Sequence, residues 1–85
     1  MTTGEVEAIQ QRAQEVWMSI VVFRSVKDCG GVLTPGAERD LYTYEVRHSE
    51  LGIMLEMLLG MYVATDEATG RFVLLSPISH IVGEV

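Results

Sequence analysis

The sequence predicts an α+β domain: a long N-terminal helix, two shorter helices and a C-terminal β-hairpin. Three observations lead there. Apolar residues recur at three- and four-residue steps from Val6 to Phe23 and again from Leu51 to Leu59. Thr34 followed by Pro35, and Ser49 followed by Glu50, read as helix starts. After Gly60 the period falls towards two, and the polar run TDEATG separates two short apolar stretches.

In the first element, Val6, Ile9, Ala13, Val16, Ile20 and Phe23 form a stripe that Trp17 and Val21 widen. Thr2 and Glu5 have the spacing of a capping box, Glu5 and Glu7 suit the positive end of the helix dipole, and Arg24 and Lys27 suit the negative end. Gly30 or Gly31 ends the helix. Trp17 to Val26, rich in β-branched and aromatic residues, also has strand character; the stripe that runs through it favours helix. Val32 and Leu33 make a short strand. Ala37, Leu41 and Tyr44 share one face of a second helix, which ends near Arg47 and His48. Ser49 caps a third helix. Its inner face is Leu51, Met54, Leu55, Leu58 and Leu59, and its outer face is Gly52, Ile53, Glu56, Met57 and Gly60. Tyr62 to Thr65 and Arg71 to Leu75 then pair as a hairpin, with Asp66 accepting from the amides after it and Gly70 left-handed. Pro77 closes it, and residues 77–85 form an extended tail or edge strand.

At 85 residues the chain is one domain, and its 48% hydrophobic content exceeds what so small a globule easily hides. No apolar run reaches the ~20 residues of a membrane span, and the acidic N-terminus resembles neither a secretory signal nor a presequence. A cytoplasmic location is expected, and the single cysteine, Cys29, fits a reducing compartment. Twelve acidic against six basic residues give a net charge of -6, which opposes binding to phosphate backbones.

No catalytic, metal or cofactor motif stands out. Cys29, His48 and His80 lie at spacings that match no zinc pattern, GGVLTPG lacks the elements of a phosphate loop, and the acidic pairs sit on predicted solvent faces. Cofactors and catalysis are therefore not expected.

The order from Gly31 to Ser76, of short strand, helix, tight turn, helix and hairpin after a first helix, resembles the winged helix-turn-helix superfamily. The resemblance implies a recognition helix at Ser49 to Leu59, a wing at Tyr62 to Leu75, and, for a DNA-binding regulator, phosphate contacts from Arg39, Arg47 and Arg71. The third helix carries Glu50 and Glu56 but no Lys, Arg, Asn or Gln, and from Ser49 to Val85 five acids face the single base Arg71. The expectation is thus a winged-helix-like protein-docking module that binds itself or another protein as a homodimer or accessory subunit. Val16, Ile20, Phe23, Ile53, Glu56, Met57 and Met61 are its candidate contact residues, and Met54, Met57 and Met61 give it an adaptable surface.

Overall fold

A computed structural model describes residues 3–78. Its elements are α1 (Thr3–Asp28), α2 (Pro35–Leu59), β1 (Met61–Thr65) and β2 (Phe72–Pro77). The fold is α+β, with two helices rather than three before the hairpin.

α1 keeps its apolar stripe without interruption, so Trp17 to Val26 is helical. It closes as the paired glycines allow. Gly30 takes φ 85° while its N–H donates to Lys27 O and that of Gly31 to Val26 O, at 3.0 and 2.9 Å. That is a Schellman closure, which needs a left-handed residue at the first position past the helix. Thr2 of the expected capping box lies outside the described residues. Val32 and Leu33 form no strand; Val32 is exposed in the connection, and Leu33 tucks under the helices.

α2 begins where the sequence indicates. The Thr34 Oγ1 accepts from Ala37 N at 3.1 Å, and Pro35 supplies the first helical residue. It does not stop at His48. Leu41, Tyr44, His48, Leu51, Leu55 and Leu58 continue one three-four stripe across the expected turn, with no Gly or Pro between Ala37 and Leu51. Ser49, expected as a cap, sits inside the helix, where serine costs only about 0.5 kcal/mol relative to alanine. The helix-turn-helix on which the winged-helix resemblance rests is therefore absent. A physical reason is length matching: α1 offers 26 residues of ridge, and the 25 residues of α2 cover it.

The helices run antiparallel. Ile9 and Ala13 pack with Leu55 towards the open end, and Val16, Trp17 and Ile20 pack with Leu41 towards the connection. Leu51 touches both clusters. Arg24–Glu45 at 2.9 Å and Lys27–Glu38 at 3.7 Å flank the seam near the connection.

Gly60 ends α2 at φ 65° and turns the chain into the hairpin. β1 and β2 pair antiparallel, with Val63 opposite Leu74 and Thr65 opposite Phe72, and a bulge between Met61 and Val63. Asp66 organises the loop as expected: its carbonyl accepts from Thr69 and Gly70, and its carboxylate from Ala68 N and the Thr69 hydroxyl. Gly70 has φ 81°. Pro77 does not end the pairing but lies within β2 opposite Met61, and Ile78 N adds one further bond to Gly60 O at 2.9 Å. The rest of the expected edge segment lies outside the described residues.

Continuity of α2 has a direct test. Proline at position 50 would be tolerated as the first residue of a helix capped by Ser49, but inside a continuous helix Glu50→Pro removes a backbone bond and clashes with the preceding turn. Urea denaturation is expected to show a loss of about 3 kcal/mol or more.

Candidate functional site: an apolar surface on the second helix

α2 is the element that faces every other one, and its side chains divide accordingly. The hairpin lies across both helices and is locked by four side chains. The His48 ring is buried between Trp17 and Phe72, with centroid separations of 5.1 and 4.8 Å, and its Nε2–H donates to Gly70 O at 2.8 Å. Trp17 Nε1 donates to Glu67 O at 3.0 Å. The carboxamide of Gln10 pairs with both backbone groups of Phe72, accepting from N at 2.7 Å and donating to O at 2.8 Å, as a neighbouring strand would. Glu56 accepts from Val63 N at 3.0 Å on the other edge of the sheet. The two outer edges of the hairpin are thus each held by a helix side chain, which supplies partners that a two-stranded sheet lacks.

Two glycines permit this closeness. A Cβ at Gly52 would lie 2.9 Å from Phe72 Cε1, so Gly52 is where the ring of Phe72 seats. Gly70 presses on the side chain of Trp17 and has positive φ, two independent reasons for the missing side chain.

Several expected contact residues are thereby consumed internally. Val16 and Ile20 are 4% and 1% exposed in the interhelical core, and Phe23 is half-buried and stacked on Tyr44, so the contact role expected for this face of α1 is corrected. Glu56 is occupied with β1, and Met61 is half-buried opposite Pro77. The expected inner face is rotated as well: Gly52 is buried, whereas Met54 and Leu58 are exposed.

Ile53 and Met57 do reach the surface, at 55% and 79% exposure, and two residues join them that the sequence pattern places on a different helix. Tyr42 (68%) and Val46 (38%) continue the same line towards the N-terminus of α2. Steps of four, seven and four residues keep all four within about 60° of the helix circumference. The signal is in the spacing, but it is visible only when the helix is not divided at Ser49. Next to Met57, which it shares with that line, a groove of about 460 Å³ at the open end of the helix pair is lined by Glu5, Ala8, Ile9, Met54, Met57 and Leu58. Val73, Leu74 and Leu75 of β2 are exposed too.

The polar residues offer less. Arg71, one of the three arginines expected to touch phosphate, binds Glu7 at 2.9 Å and Gln14 at 3.4 Å. Arg39 and Arg47 form no ion pair among the described residues. Cys29 is exposed beyond the end of α1, while the ring of His48 is enclosed, and His80 lies outside the described residues. Among the described residues no three His, Cys, Asp or Glu side chains cluster as a metal site would require, and no helix is long and apolar enough to cross a membrane.

The lock is testable through stability. Gln10→Ala leaves both backbone groups of Phe72 without their partner, and a loss of about 1–3 kcal/mol is expected in chemical denaturation. Arg12→Ala, which removes only an exposed ion pair on the same helix, is expected to change stability by less than about 0.5 kcal/mol.

No protein-family model, no curated protein and no solved structure matches this chain.

Proposed function

We propose that this protein is a non-catalytic protein-interaction module, a homodimer or a small accessory subunit of a larger assembly, acting in the cytoplasm. The observation that carries the reading is the exposed line Tyr42, Val46, Ile53 and Met57 on the back of α2. Large apolar side chains scattered singly are ordinary, but four aligned on one helix, as two pairs either side of Ser49 and Glu50, leave apolar surface whose removal from water is favourable. Methionine at one end and tyrosine at the other add side chains that are common at binding surfaces. The free thiol of Cys29 is compatible with a reducing compartment.

A DNA-binding role has less support. Its recognition helix would begin at Ser49, which is an interior residue of α2, and its wing arginine is held by Glu7. The net charge of -6 opposes the phosphate contacts that dominate such affinities.

Ile53→Lys combined with Met57→Lys tests the reading. Both side chains are exposed, so the variant is expected to keep its helical circular dichroism, with stability changed by less than about 1 kcal/mol, and to lose association in size exclusion with light scattering or in co-purification. A wild-type protein that runs as a monomer and retains no partner contradicts the proposal.

A further inference from the structure

Resting on the interaction reading of this same face, we infer that its occupant is a second copy of this chain, docked antiparallel about a two-fold axis that passes α2 beside Ser49 and Glu50. The symmetry of the face itself points there. A two-fold interface is self-complementary: if residue i meets residue j of the other copy, then j meets i. Tyr42, Val46, Ile53 and Met57 are spaced four, seven and four, a pattern that reads the same in both directions about its midpoint. Two such helices laid antiparallel bring Val46 against Ile53 of the second copy and Tyr42 against Met57 of the second copy, each contact made twice.

Shape and charge agree with that register. Tyr42, Thr43, Val46, Arg47 and Glu50 surround a shallow cleft of about 180 Å³. In the antiparallel arrangement this cleft faces the highly exposed Met57 of the second copy, a flexible thioether suited to filling it and to lying against the ring of Tyr42. Near the axis, Arg47 and Glu50 are exposed and form no ion pair within the chain among the described residues. One turn apart on the same helix, they exchange partners across the axis, Arg47 to Glu50 of the second copy and the reverse. Of the acids flanking this face, Glu45 is turned to Arg24 and Glu56 to Val63, which leaves Glu50 nearest the axis, where each Glu50 is flanked by Arg47 of the other copy. A parallel pairing would instead carry Arg47 of one copy and Glu50 of the other to opposite flanks of the seam.

The contact spans residues 42–57, about 22 Å of helix, so it is a small interface and its affinity is expected in the micromolar range. Sedimentation equilibrium of the full chain at high micromolar concentration is expected to give the mass of two chains. Arg47→Glu and Glu50→Arg should each weaken dimerisation at least about tenfold by placing four like charges at the axis, and an equimolar mixture of the two variants should recover it as a heterodimer. In a Cys29→Ser background, a Val46→Cys chain mixed with an Ile53→Cys chain should form an intermolecular disulfide under mild oxidation. Val46→Cys alone should not, since its two copies would stand about 10 Å apart along the axis. A wild-type dimer that ignores both charge reversals, or in which Val46→Cys cross-links to itself, overturns the inference. So does a monomeric wild type; in that case the interaction reading survives only if Ile53→Lys with Met57→Lys still abolishes retention of a different protein, and falls with the inference if it does not.

Discussion

The buried ring of His48 is the contact on which the rest of the structure depends. It sits midway along α2, lies between Trp17 of α1 and Phe72 of β2, and donates to the carbonyl of Gly70 in the hairpin loop. A single side chain therefore touches every layer of the molecule. An imidazole fits this place better than an aliphatic residue, because the loop carbonyl it covers would otherwise be buried without a donor. A phenyl ring would stack as well but could not donate, and an amide would donate without filling the gap between two aromatic rings.

That placement divides α2 into a committed side and a free side. Because His48 is a core position, the helix must pass straight through Arg47 to Ser49, and the faces on either side of that point become continuous. Leu41, His48, Gly52 and Leu55 are buried against α1 and the hairpin. Tyr42, Val46, Ile53 and Met57 then fall on one exposed line, with Ile53 bordering the hairpin and Met57 bordering α1 at its rims. Neither line would exist if the chain turned at Ser49, since two short helices would carry two short patches in unrelated directions. The exposed stripe is in this sense a consequence of a buried ring on the opposite face of the same helix.

Much of this is legible in the chain and some is not, for physical reasons that can be named. The end of α1 at the paired glycines, the Thr34 cap with Pro35, the left-handed Gly70 and the Asp66 turn reflect local chemistry, where one residue type fits one backbone need. The false break at Ser49 arises from the same kind of local signal. A basic residue, a histidine, a serine and a glutamate in succession look like one helix ending and another beginning, yet the three-four apolar stripe passes through them with His48 as a member. Tertiary burial decides between the two, and a polar residue in a core position hides such burial from pattern reading. Gln10 and Glu56 are hidden for a related reason: they bond to backbone groups outside their own helix, about which no helical period carries information. The exposed stripe is half visible in the sequence, because Ile53 and Met57 fall on an outer face while Tyr42 and Val46 fall on a different helix as long as a turn is placed at Ser49.

Ring-to-ring nuclear Overhauser contacts of His48, measured on the full chain by NMR, test the central role of this ring most directly. The arrangement described predicts contacts from the imidazole protons to both the Trp17 indole and the Phe72 ring, together with unbroken sequential amide contacts from Val46 to Leu51. An imidazole that contacts neither ring, or a gap in the amide contacts at Ser49, would contradict it.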